Sequence, residues 1–233
     1  MTTISSATLL TVWENGAEQS PVRRALLLLA PFFGDQELTA LPIGTRNAML
    51  LMVRERLFGT RMDCVVHCPQ CATRLEFTLA TTDVRALAPI TTVHELEVAG
   101  EQVTFRLPTS GDLLALAPGT AQSHQLIERC MMNAPETLST ETLAAVAAAM
   151  VQADPLLDLQ IALRCSECDH TWMAPFDVLA FVWHEVDSWA QRLLHDVHTL
   201  AKAYGWCEHD ILALSPRRRA WYLRLVHYER STG

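Results

Sequence analysis

The stretch that decides the fold is Met62-Asp-Cys-Val-Val-His-Cys-Pro-Gln-Cys-Ala-Thr-Arg-Leu-Glu-Phe-Thr-Leu79. Met62, Cys64 and Val66 alternate with Asp63, Val65 and His67. Beyond the Cys68-Pro-Gln-Cys71 turn, Leu75, Phe77 and Leu79 alternate with Arg74, Glu76 and Thr78. Period-two alternation on both sides of a tight turn predicts a β-hairpin with two thiols at its tip. A second turn, Cys165-Ser-Glu-Cys168, follows another alternation in which Leu157, Leu159, Ile161 and Leu163 exchange faces with Asp158, Gln160, Ala162 and Arg164.

Zinc takes four soft ligands in a tetrahedron, and each Cys-x-x-Cys turn offers two. Together Cys68, Cys71, Cys165 and Cys168 predict one structural zinc in a closed four-cysteine site, which leaves no coordination position for a reacting water. The unusual feature is their separation. Residues 72 to 164 place 93 residues between the pairs, against about 12–20 in compact zinc patterns. The reading is a split zinc ribbon with a lobe inserted into it, the metal stapling both flanks. A redox dithiol would open a helix after a strand; these pairs lie between strands. His67 and His170 lie close enough in sequence to substitute for a cysteine. Cys64 reads as a buried thiol on a strand face, Cys130 and Cys207 as core cysteines on helices.

Around this core the chain reads as helical. An apolar block runs from Pro21 to Ala30 and stops near Pro31; Thr45 caps a helix from Arg46 to Phe58 that Gly59 ends. In the insertion, Leu96–Val98 and Val103–Leu107 form a hairpin about Ala99-Gly100-Glu101. A short helix then follows Pro108-Thr109-Ser110, and two more lie near Ser123–Met132 and Glu141–Gln152, the last capped by Ser139. Asp177 caps the clearest helix of all. Leu179, Val182, Val186, Ala190, Leu193, Val197 and Leu200 make its apolar stripe, and Gly205 stops it. His184 and His195 fall on its polar face, where histidines are usually solvated. Two short helices close the chain, Glu208–Leu214 and one opened by Ser215-Pro216.

The fold class is therefore α+β. Its predicted parts are an N-terminal helical region (1–61), the split ribbon (62–80 with 156–176), the inserted lobe (81–155), the long helix (177–205) and a helical tail (206–233).

Composition narrows the function. Half the residues are hydrophobic and 19% charged, enough for a packed core. No apolar run approaches the ~20 residues of a membrane span, and the N-terminus lacks a secretory pattern, so the expected compartment is the cytoplasm. The net charge is −8. From Ser215 onward five arginines face one glutamate, a balance of +4 that leaves −12 on the rest. An acidic body argues against a phosphate-backbone partner. Phosphate-binding glycine loops, nucleophile elbows and zinc-protease helices are missing from the sequence. Trp221, Tyr222, Leu225, Val226 and Tyr228 make the arginine-rich tail aromatic, the composition of a protein interface or of a tail docked on its own body.

A series of short motifs adds a resemblance. They are Arg54-x-x-Leu-Phe-Gly59, Cys68-Pro-x-Cys71, Glu76-Phe77, Phe105-Arg-Leu-Pro-Thr-Ser110, and Cys165-x-x-Cys-x-His170 with Trp172 and Pro175-Phe-Asp177. Ala203-Tyr-Gly-Trp206, Ile211-Leu-Ala-Leu-Ser215 and Arg218-Arg-x-x-Tyr-Leu223 complete it. From about Ala25 to Val226 the chain resembles the baseplate hub assembly chaperones of T-even-like phages and related contractile injection systems. The resemblance implies a non-catalytic cytoplasmic factor, released from or retained in the particle, whose partners are hub and spike proteins. It implies no nucleic acid, membrane or small-molecule substrate. Tyr204, Trp206, Arg218 and Tyr222 are the expected residues that hold a partner or anchor the tail. A nucleic-acid-binding zinc ribbon and a dithiol oxidoreductase are the rival readings.

Overall fold

The computed structural model describes residues 4–34, 36–88, 91–98, 100–116, 122–133 and 139–232. It is a mixed α+β structure with ten α-helices and three separate two-stranded antiparallel sheets among those residues. The chain divides into two compact units, residues 33–181 and residues 1–32 with 182–233.

The 33–181 unit is built from three hairpins and the helices between them. Helix α3 (Ile43–Phe58) leads through Gly59 into β1 (Arg61–His67), which pairs along its whole length with β2 (Arg74–Ala80). Gly59 has φ +92°, the left-handed region that favours glycine. The N-terminus of α3 differs from the sequence expectation. Thr45 lies inside the helix, which starts two residues earlier behind Pro42. Its capping carboxylate comes from far along the chain: Gly44 N–H donates to Asp154 Oδ2 at 2.8 Å, and Leu156 N–H to Oδ1 at 3.1 Å. A Cβ on Gly44 would lie 1.8 Å from Asp154 Oδ1, so only glycine admits this contact. Beside it the Asn47 amide donates to the Leu156 carbonyl at 3.0 Å, and Arg46 reaches Asn47 Oδ1 and Ser110 Oγ. This buried network ties the start of α3 to the approach to the second cysteine pair.

Helix α4 (Thr81–Arg85) follows β2. Strands β3 (Val93–Val98) and β4 (Glu101–Arg106) form the expected hairpin, with Gly100 at φ +85°; Ala99 of the expected turn lies outside the described residues. After α5 (Ser110–Leu114) come α6 (Gln122–Cys130) and α7 (Thr140–Ala153), the latter capped by Ser139 as expected. Val103, Phe105, Ile127, Cys130, Leu143, Val146 and Met150 make one buried cluster. Met131 and Met132 leave the helix and bridge onto the edge of β4; Asn133 completes this by bonding both Thr104 N–H and the Gln102 carbonyl. An open strand edge is thereby closed.

Asp112 secures the junction between β4 and α5. It forms a capping box with Thr109 and accepts from both Arg106 terminal nitrogens, at 2.6 and 2.8 Å. Strands β5 (Gln160–Arg164) and β6 (Thr171–Pro175) make the third hairpin, shorter at its start than the alternation from Leu157 suggests. Asp177 then caps α8 (Val178–Tyr204), its Oδ1 accepting from Ala180 N–H at 2.9 Å. The seven stripe residues from Leu179 to Leu200 are all buried, and His184 and His195 are exposed.

The other unit holds α1 (Ser6–Gly16), α2 (Pro21–Phe33, in this unit to Phe32), most of α8, α9 (Glu208–Ala213) and α10 (Pro216–Thr232). Pro31 does not end α2 but sits in its last turn, where one lost backbone bond matters little. Trp13 Nε1 donates to Asp187 Oδ1 at 2.8 Å, and Gly16 lies against the Trp183 ring, where a Cβ would approach to 2.3 Å. The Arg24 guanidinium lies over that ring, 4.8 Å from its centroid, and donates to the Gly16 and Ala17 carbonyls, capping the C-terminus of α1. No helix among the described residues is long and apolar enough to cross a membrane.

Asp112 gives a pH test. Its carboxyl is exposed to opposing influences: desolvation raises it, but the Arg106 pair and the Thr109 bonds prevail and hold it well below the usual carboxylate range. Its contribution to stability is thus full above the unfolded value near pH ~3.9 and is lost as pH falls from there through the depressed folded value. Asp112→Asn should cost about 2 kcal/mol at pH 7, a figure reduced because Arg106 is partly solvated. Urea unfolding should find the gap between wild type and variant narrowing below pH ~4.

Candidate metal centre

The tips of the β1–β2 and β5–β6 hairpins have one conformation in two copies. In the first, Cys68 N–H donates to the Thr73 carbonyl and Ala72 N–H to the Cys68 carbonyl, both at 2.9 Å. In the second, Cys165 N–H donates to the His170 carbonyl at 2.9 Å and Asp169 N–H to the Cys165 carbonyl at 3.1 Å. The residue after each second cysteine turns left-handed: Ala72 and Asp169 both have φ +59°, and no other described non-glycine residue has positive φ. This corner folds each turn back so that both sulfurs point the same way.

The four sulfurs meet although their pairs are far apart in sequence. Cys68 Sγ lies 3.7 Å from Cys168 Sγ, and Cys71 Sγ 3.6 Å from Cys165 Sγ. All four lie within 4.8 Å of one another. A disulfide needs about 2.05 Å, so these are thiols. Metal–sulfur bonds of about 2.3 Å in a tetrahedron put the sulfurs about 3.8 Å apart, and the observed spacing fits that arrangement. The first cysteine of each pair is buried and the second exposed, which places the centre at the edge of the unit.

Electrostatics favours a cation here. Hydrogen bonding from the Thr73 hydroxyl, then from its backbone, lowers the Cys71 thiol to about 6. Cys168 is helped by the His170 backbone, yet desolvation and the three neighbouring sulfurs push it up to about 12. Four thiolates this close would repel one another, so an all-thiolate cluster would need a positive ion between them.

The other predicted residues fall as follows. The four cysteines are the described cluster of possible metal ligands, and His67 and His170 do not enter it. The His170 ring stacks on Trp172 at 5.8 Å. Cys64 and Cys130 are buried as expected, and burial pushes the Cys130 thiol up to about 11. Cys207 is a correction: it is exposed at the N-cap of α9, with Sγ 3.1 Å from Asp210 Oδ2. Of the predicted tail residues, Tyr204, Trp206 and Tyr222 come together, with rings 4.7 to 5.9 Å apart, against Val197, Leu200, Ile211 and Val226. Arg218 stands apart from them, exposed on α10. Sequence reasoning missed the Asp154–Gly44 contact; its signal was a glycine in the first turn of a helix.

Residues 7–134 of the chain match the family described as T4 bacteriophage base plate protein. No curated protein and no solved structure matches it.

The left-handed corners yield a stability test. Alanine in that conformation is disfavoured by about 1 kcal/mol or more, whereas glycine is not. Ala72→Gly should raise the unfolding free energy by about 0.5–1 kcal/mol in chemical denaturation, once glycine's greater unfolded-state entropy is subtracted. Asp169→Gly should gain less, because aspartate tolerates the region better and Asp169 pairs with Arg164 at 2.8 Å.

Proposed function

The chain belongs to the T4 bacteriophage base plate protein family, and from that premise we propose that it is a non-catalytic assembly factor for the hub of a contractile tail or injection system, built on one structural zinc. The observation that carries the role is the family match over residues 7–134. The chemistry of the four-cysteine cluster supports the rest. Cys68, Cys71, Cys165 and Cys168 would hold zinc in an all-sulfur site with a ribbon-like hairpin on each side, and zinc binding would supply folding free energy rather than a reactive water. An all-thiolate site favours a soft or borderline ion over magnesium or calcium, which take oxygen ligands.

The partners proposed are hub and spike proteins, engaged through the tail. In this reading Tyr204, Trp206 and Tyr222 anchor α10, and Arg218 faces the partner from it. Trp221, 59% exposed beneath the Arg224 guanidinium, belongs to the same outward side of the helix. Aromatic and arginine side chains are the residues that dominate interface energies.

Two measurements test this. Freshly purified protein should carry one zinc per chain by elemental analysis, and Cys68→Ser or Cys165→Ser should lose both the metal and cooperative unfolding. A protein that folds cooperatively without any metal would end the zinc proposal. In co-expression with hub and spike proteins, Trp206→Ala should lose about 2–3 kcal/mol of stability as well as partner capture. Arg218→Glu with Trp221→Ala should keep the wild-type melting curve while weakening capture about tenfold or more. Unchanged capture by the double variant would remove the tail from the interface.

A further inference from the structure

Arg219 differs from the other arginines of the tail. It is on the inner side of α10, only 6% exposed, and its nearest carboxylate oxygen, Asp196 Oδ2, is 3.6 Å from Nε. That is an ion pair but not a hydrogen bond. Its Nη1 is buried with no hydrogen-bond partner among the described residues. A buried guanidinium with an unused donor is costly, and such atoms are rare in native proteins.

The same side chain lines a groove of about 550 Å³ along α8, together with Ser188, Gln191, Arg192, His195 and Asp196. Two guanidinium groups therefore face one carboxylate, leaving one positive charge in a chain whose net charge is −8. A monoanion balances the groove; a dianion would overfill it. Ser188 and Gln191 offer further hydrogen bonds, and Trp189 and Leu193 give an aliphatic stem something to pack on. Burial raises the Asp196 carboxyl and lowers the Arg219 guanidinium, which is how an incompletely compensated pair behaves.

The geometry points to a carboxylate-binding groove that accepts an acidic side chain of a base plate partner, between Arg192 and Arg219. The carboxylate supplies the acceptor that Arg219 lacks, and planar guanidinium groups suit it better than lysine would. The carboxylate chemistry stands on the groove alone; the partner as its source rests on the assembly reading above.

The test uses the full-length metal-bound chain at constant ionic strength, with the arginine side-chain NMR signals of Arg192 and Arg219 assigned. Acetate should shift both signals saturably, acetamide should not, and Arg192→Gln should weaken acetate binding about tenfold or more. Shifts that do not saturate, an equal response to acetamide, or tighter binding of inorganic phosphate than of acetate would overturn the carboxylate site. Arg192 is exposed, so its variant is expected to fold; an unchanged melting curve checks this. In the second arm, Arg192→Glu should weaken capture of co-expressed hub proteins about tenfold or more. Undiminished capture would overturn the groove as the partner's seat and leave the assembly reading intact. If the wild type captured no base plate protein at all, the assembly reading and the partner source would fall together, with the acetate titration still deciding the carboxylate site.

Discussion

The convergence of four cysteine sulfurs from two distant pairs is the constraint around which the 33–181 unit is arranged. As thiolates within 4.8 Å of each other they would be stable only around a cation, and the backbone on both sides brings all four together. Neither hairpin at this centre shares a strand with the other; each is a two-stranded sheet of its own, a structure that is marginal by itself in water. The left-handed corners at Ala72 and Asp169 add a local cost that a metal ion held by the four sulfurs would offset. The Asp154–Gly44 cap works toward the same end from within, holding the start of α3 against the segment that leads into the second cysteine pair.

The cysteine cluster was fully legible in the sequence because thiol spacing and strand alternation are local signals. Cys68-x-x-Cys71 names its own turn, and the alternation on each side names its own hairpin. The boundaries of α8 were equally plain, since Asp177, the apolar stripe and Gly205 lie within a single helical segment. What stayed hidden was capping and packing by residues far away. Thr45 looked like a cap because threonine often is one, but a carboxylate 110 residues later does the work. Helix α1 fell within the expected helical region 1–61 but was given no bounds of its own, because its contacts are distant: Trp13, Gly16 and Arg24 meet Trp183 and Asp187. Cys207 was assigned to a core because it reads as part of a helical pattern, whereas its place at the N-cap of α9 leaves it exposed.

The tail shows how composition can be right about chemistry and silent about direction. Its aromatic and arginine residues divide by helical phase. Tyr222 and Val226 join Tyr204 and Trp206 in a buried cluster, while Trp221 and Leu225 face outward from the opposite side of α10. Arg219 follows the inner phase, unlike Arg217 and Arg218 before it, which explains why one member of an arginine triplet is buried beside Asp196.

The split between the cysteine pairs also sets a clock on biosynthesis. Cys68 and Cys168 are 100 residues apart, so at roughly 5–20 residues per second the ribosome takes on the order of 5–20 s to supply the second half of the clasp. During that interval the first hairpin carries two thiols with no partners and no Asp154 at the base of its leading helix. For a four-sulfur metal site to form, those two thiols would have to stay reduced throughout, and a metal caught early would have only two sulfurs to hold it. Closure of the four-sulfur cluster therefore waits for the second hairpin, whatever order the local elements take before it.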